Sequence, residues 1–260
     1  MRDFSIVPTT LRVAGPWESL AELIDRLPDG FFTGPIGTGP DVGGLGYQIA
    51  DADGKHGRTG VLHFRDPDDQ FAGLVRQMTR TPLSEEESET LDDYKMQICV
   101  CGDGGSKFRA ANLMRATDAV VGAGGCAVFC DSSGATSPGS LWREMTAAVV
   151  AGGEDMTDAM TFALVSVIGD DRQARTTGMQ VLGLPDLVMQ FDGIPGGGER
   201  LIEMMRYIAR TDREFTDGHV MLDPTDGLSV TAKFAPVSDQ EAPSMANPWG
   251  RLELVRTESE

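Results

Sequence analysis

Apolar and polar positions follow two rhythms along the chain, and these rhythms predict alternating strands and helices. Residues 4–13 read as a strand, with Pro8 suggesting an edge position or a bulge. Pro16 opens a short helix whose Trp17, Leu20, Leu23, Ile24 and Leu27 form an apolar stripe, and Pro28-Asp29-Gly30 ends it. Residues 33–46, rich in Gly and Pro, read as a long loop. Residues 47–50 and 60–64 predict two strands around a hairpin turn at 51–57. Asp66 and Pro67 mark a helix start, with Asp69 at capping-box spacing and Phe71, Leu74, Val75 and Met78 facing inward. Ser84 and Glu87 have the same spacing and open a short acidic helix.

Beyond that helix, residues 95–101 predict an apolar strand. A Gly-rich turn and a helix to about Val121 follow, and residues 126–130 form another short strand. Ser140 is placed to cap a helix carrying Leu141, Trp142, Met145, Ala148 and Val149. Residues 161–168 read as a strand. A turn at 169–175 leads into a second strand, where Met179, Val181, Leu187, Met189 and Phe191 share one parity and so one face. Residues 199–210 are the cleanest amphipathic helix, with Leu201, Ile202, Met204, Met205, Ile208 and Ala209 on its buried stripe. Residues 219–222, 228–234 and 251–255 close the chain as strands.

The first half, running into Lys95, reads β-α-β-β-α-β, and the second half is a longer version of the same alternation. This predicts an α+β fold of two ferredoxin-like (split βαβ) units, with mainly antiparallel sheets and helices on one face. The charge run at 84–93 marks a boundary, giving an N-terminal α+β half over 1–93 and a C-terminal α+β half over 94–260. The two halves are also compatible with packing as one domain.

Charge narrows the partners. Forty Asp plus Glu stand against 22 Lys plus Arg, a net of −18. Such a field repels phosphate backbones and anionic membrane surfaces, which argues against nucleic acid and leaves a basic protein as the favoured macromolecular partner. No stretch approaches the roughly 20 apolar residues that span a bilayer, and the first residues lack the apolar segment of a signal peptide. The four cysteines fall in two close pairs rather than a disulfide framework, which points to a reducing cytoplasm.

Candidate chemistry is sparse. His56, His63 and His219 are scattered: His56 reads as a solvated hairpin tip, His63 as a sheet residue, and His219 as the least implausible general base. Cys99/Cys101 and Cys126/Cys130 each share a face, but the Cys-x-x-Cys knuckle of zinc sites is absent, so buried core thiols are expected and no metal or cofactor. Asp51-Ala52-Asp53-Gly54 resembles the opening of a calcium loop, but its twelfth position is Leu62. Ser132-Ser133-Gly134 follows a strand without a nearby histidine to activate either hydroxyl. Arg172 and Arg175 on a hairpin tip read as solvated surface or as a docking spot for an acidic group. The best ligand-site candidate is the Gly-rich turn before the 107–121 helix. There Gly104, Gly105 and Ser106 offer backbone N–H groups to an anion, with Lys107 and Arg109 adding charge. Its spacing matches neither the Walker nor the dinucleotide pattern.

Residues 176–189 (Thr-Thr-Gly-Met-Gln-Val-Leu-Gly-Leu-Pro-Asp-Leu-Val-Met) resemble the core of a bacterial family catalogued as domain-of-unknown-function family 4261. Gly124-Gly125-Cys126-Ala127-Val128-Phe129 followed by Trp142, the helix at 201–208, and Asp217-Gly218 before the closing strands are similar too. His219-Val220-Met221 depart from the small polar residue and Gly expected after Asp217-Gly218. The resemblance implies a soluble bacterial α/β protein and no particular activity. The expected function is a non-catalytic binding or interaction protein. The alternative is a small-molecule or nucleotide-binding enzyme or sensor that uses the loop at 102–109.

Overall fold

The computed structural model describes residues 6–29, 31–36, 46–51, 58–153, 155–170, 172–191, 196–211, 215, 217–223, 229–235 and 247–256. The turn expected at 51–57, His56 included, falls outside them apart from its first residue.

Strand β1 (Val7–Gly15) lies inside the first sheet, between β5 (Met96–Gly104) and β6 (Ala127–Cys130), and not at an edge. Pro8 is tolerated because β6 pairs only with residues 11–14 of β1. The Thr10 carbonyl accepts from the Asp131 N–H, so even-numbered residues of β1 turn their backbone groups toward the β6 side. Pro8 therefore lacks its N–H where no ladder partner stands. Residues 33–46 are not one loop. Residues Phe31–Ile36 form β2, paired with β3 (Gly46–Asp51), and β4 (Arg58–Arg65) and β7 (Thr136–Pro138) complete the order β2-β3-β4-β5-β1-β6-β7. Strands from both sides of the acidic run at 84–93 thus build one sheet.

The two faces of this sheet separate by residue parity. Leu11, Val13, Ile98, Val100, Val128 and Cys130 share a face, which helix α4 (Lys107–Gly122) covers. Ala14, Ala127 and Phe129 lie under α2 (Asp69–Met78) and α3 (Glu85–Asp92), which bury Phe71, Val75 and Leu91 against them. Helices therefore sit on both faces, where one was expected. The first helix, α1 (Leu20–Arg26), is capped by Ser19, and the buried Trp17 before it donates its Nε1–H to the Ala123 carbonyl at 2.8 Å.

Of three helix starts, two differ in detail from the pattern. Asp68, not Asp66, caps α2, its side chain accepting from Gln70 N–H at 2.9 Å. The Ser84–Glu87 capping box of α3 is present. Ser140 does not cap α5 (Gly139–Ala151), because the helix begins one residue before it; its N–H donates to Glu87 Oε1 at 2.7 Å while Glu87 Oε2 accepts from Ser84 N–H at 2.8 Å. One carboxylate thus serves the starts of two helices. Burial opposes its charge, but the bonds from Ser140 and Ser84 outweigh that and hold its pKa below the usual range.

The second sheet consists of β8 (Ser166–Gly169), β9 (Gln173–Thr177), β10 (Asp186–Gln190), β11 (Val220–Leu222), β12 (Ser229–Ala235) and β13 (Arg251–Arg256). Its order is β11-β12-β13-β10-β9-β8, with β10 and β13 parallel and the other pairs antiparallel. Helix α7 (Gly197–Arg210) packs on it through Leu201, Met204, Met205 and Ile208. Residues 161–164, read as strand, instead end helix α6 (Asp155–Leu164), whose buried Thr157, Met160, Thr161 and Leu164 recur at helical spacing. Likewise 179–191 is no single strand: Met179–Leu182 form a 3-10 turn before β10. One apolar core runs from Leu11 and Val13 of β1 through α4 and α5 to Leu252 and Leu254 of β13.

The α+β class is as expected. The pairing differs from two ferredoxin-like units, which place parallel strands side by side. All six pairings of the first sheet are antiparallel. No described helix is long and apolar enough to cross a membrane.

Replacing Glu87 tests the shared cap. Glu87→Ala removes acceptors from two helix starts, and we expect a loss of about 1–2 kcal/mol in urea unfolding. An unchanged midpoint would show that water replaces both bonds without cost.

Candidate functional site

The turn at 131–134 between β6 and β7 reaches over the second sheet. Thr177 Oγ1 donates to the Ser133 carbonyl at 3.3 Å. Beside this contact the chain reverses at Gly178, whose φ of 102° lies in the region that glycine favours. A β-carbon there would stand 2.5 Å from the Leu164 carbonyl oxygen and 2.6 Å from Ser133 Cβ. No other residue permits this approach of the two sheets.

A buried carboxylate fixes the segment that follows. Asp186 Oδ1 accepts from Thr176 Oγ1 at 3.2 Å and from Met179 N–H at 3.3 Å, while Oδ2 accepts from Asn247 Nδ2 at 3.0 Å. Thr176 Oγ1 in turn accepts from Leu187 N–H at 2.7 Å. Asn247 also donates to the Leu184 carbonyl and accepts from Trp249 N–H. These bonds gather the end of β9, the 3-10 turn, the start of β10 and the loop before β13 around one side chain. Burial raises the Asp186 pKa to about 6; the bonds from Asn247, Met179 and Thr176 and the charge of Arg251 act the other way.

Between the overhanging turn and this network lies a cavity of about 420 Å³, within the ordinary size of small-ligand sites. Asp131, Ser132, Ser133 and Gly134 line one side. Ile168, Arg175, Thr177, Gln180, Asp186 and Arg251 line the other. Arg12 backs the wall, its Nε 2.6 Å from Asp131 Oδ1 without hydrogen-bond alignment. The Ser132 hydroxyl lies 3.3 Å from Cys130 Sγ. Gln180 is only 4% exposed, and its Oε1 has no hydrogen-bond partner. A buried acceptor left unpaired costs about 1–3 kcal/mol.

The five residues of the Gly-rich turn do not line this cavity. Gly104 is buried against Thr9 and Val181, and the Gly105 N–H donates to the Val181 carbonyl at 2.9 Å. Ser106 caps α4, its Oγ accepting from Arg109 N–H at 3.2 Å, and Lys107 and Arg109 are half-buried in the first turn. The turn and the cavity meet back to back at the 3-10 segment, with Val181 on one and Gln180 on the other. Of the two hairpin arginines, Arg175 lines the cavity and Arg172 does not. Ser132 and Ser133 line it as well, and neither is near a described histidine: His63 lies on β4, and His219 packs edge-on against Phe215 at 5.2 Å between ring centres.

The cysteines divide between the sheet faces. Cys99 and Cys101 lie opposite Arg12 and Thr10, whereas Cys130 lies opposite Leu11 on the other face. Burial pushes the Cys126 thiol up to about 12. Among the described residues no three His, Cys, Asp or Glu side chains are grouped to hold a metal ion.

The residues that pattern reading missed are Asp186, Thr176, Gln180, Asn247 and Arg251. Asp186, Thr176 and Gln180 all lie in the segment at 176–189. No family model, no curated protein and no solved structure matches the chain.

The raised carboxyl of Asp186 has a definite sign. Its protonated form is favoured in the folded chain, so the stabilisation it gives is complete below the ordinary value of 3.8 and is lost as pH rises through about 6. We expect the stability of the wild type relative to Asp186→Asn to fall across that window and level off above it, as read by urea unfolding at a series of pH values. A pH-independent difference would contradict this assignment.

Proposed function

We propose that the chain is a binding protein whose ligand is a small molecule held in the cavity between residues 131–134 and the second sheet. The observation that carries the reading is the cavity itself, of about 420 Å³ and walled by the Arg175 guanidinium, the Gln180 side chain and the Ser132, Ser133 and Thr177 residues. The lining supports binding over catalysis. Its guanidinium, amide and hydroxyl groups orient a ligand, and the Asp186 carboxylate is tied by three protein donors rather than poised against a hydroxyl.

A macromolecular partner is a second reading, supported by charge. Glu85, Glu86, Glu89 and Asp92 are exposed along α3 in a chain of net charge −18, a surface suited to a basic protein. The resemblance to family 4261 is consistent with either reading and supplies no activity.

The cavity is tested by filling it. Ile168 is 46% exposed at the mouth, so Ile168→Trp adds bulk without disturbing the core. We expect a small-molecule panel to contain compounds that raise Tm of the wild type, as selective binding to the folded state requires, and the variant to lose that response. A panel without effect, or an equal response in the variant, would count against the cavity.

A further inference from the structure

We propose that the cavity binds a small organic monoanion, a carboxylate on an apolar body, with the carboxylate on Arg175 and the body against Ile168. This deepens the preceding reading and rests on the cavity being a ligand site.

Among the described residues of the wall, most charges are already answered by the protein. Asp131 has the Arg12 guanidinium at 2.6 Å. Asp186 accepts from Thr176, Met179 and Asn247. Arg251 stands directly opposite Asp186 in the parallel pair of β10 and β13, and its charge acts on that carboxyl. Arg175 differs. It is exposed at the cavity, and no carboxylate lies within ion-pair distance of it among the described residues. A ligand cation would meet carboxylates that are engaged. An anion meets a guanidinium whose donors are open to it.

Register then sets what surrounds that guanidinium. Arg175 stands on β9 directly opposite Ile168 of β8 and Val188 of β10. Strand alternation turns Ala174, Leu187 and Met189 into the core, so Arg175, Ile168 and Val188 share the other face of the sheet. The two residues that flank the guanidinium in the ladder are thus apolar. They offer nothing to a second ionic group and suit a hydrocarbon. Ile168 is 46% exposed at the cavity mouth, an apolar surface that a ligand body would remove from water. A planar guanidinium is the side chain best shaped to hold a carboxylate. One guanidinium answers one negative charge, and Asp131 and Asp186 on the same wall disfavour a second. The volume of about 420 Å³ holds a small acid with a short chain or a single ring.

Thermal-shift titration of the full chain tests this. The probes are acetate, butyrate, hexanoate and phenylacetate, each beside its primary amide, which keeps the body and removes the charge. Inorganic phosphate, succinate and hexylamine are the counter-probes. We expect hexanoate or phenylacetate to raise Tm and its amide to fail. Each added methylene that lies against Ile168 should tighten binding about fourfold. Arg175 is exposed, so Arg175→Gln should fold normally and weaken the acid about tenfold or more, the effect of one lost charge-assisted bond. Arg175→Lys should recover part of that loss, since it restores the charge without the planar fork. Equal binding by the amide, or undiminished binding by Arg175→Gln, would overturn the assignment, and so would an affinity that ignores chain length. If phosphate, succinate or the amine alone stabilises the chain and Ile168→Trp abolishes that, the cavity is a ligand site and the monoanion assignment is wrong. If no compound of any class has an effect, both readings fall.

Discussion

A single buried carboxylate holds the second sheet in the shape that makes a cavity. Asp186 accepts from three donors that arrive from β9, from the 3-10 turn and from the loop before β13. Removing such a group from water is costly, as its pKa near 6 records, and the cost is sustained only because the donors are already in place. Without it, the Met179 N–H and one of the two Asn247 amide donor bonds would lose their acceptor. The turn that places Gln180 on the cavity wall would then have nothing to fix its path.

The cavity follows from two close approaches. Gly178 lets the end of β9 pass beneath the Ser133 turn of the first sheet, and Gly183, also at positive φ, lets the far side of the 3-10 segment lie against the Gly105 carbonyl. The short segment between these glycines is clamped on both sides, by the Gly-rich turn at 102–105 and by the turn at 131–134. It is a rigid divider, with Val181 bonded to one loop and Gln180 turned to the other. Ligand sites are more exact when carried on elements held this way than when carried on free loops.

Local signals were legible in the sequence wherever the partners lie within one turn of each other. The Ser84–Glu87 capping box was readable because its bonds are short-range, and the α7 stripe because its apolar spacing lies within one helix. The first sheet was only partly readable. Strand β2 contains Gly34 and Pro35, and its strand character comes from pairing with β3 rather than from its own residues. Residues 161–164 are an unbroken run with no period of their own, and they join a helix because residues 155–160 precede them. The shared parity of Met179, Val181, Leu187 and Met189 arose from a 3-10 turn followed by a strand, which mimics one long strand. At the site, Arg175 was visible as a possible anchor for an acidic group. Asp186 was not, because its partners stand 10 and 61 positions away and only the fold unites them.

Hydrogen exchange on the full chain, with and without a small molecule that raises its Tm, tests the account most directly. The account predicts slowed exchange at residues 131–134, at 175–180 and around Asp186, where ligand and network meet. Protection confined to Gly104, Gly105 and Ser106 would place the ligand on the Gly-rich turn instead and contradict the cavity as the site.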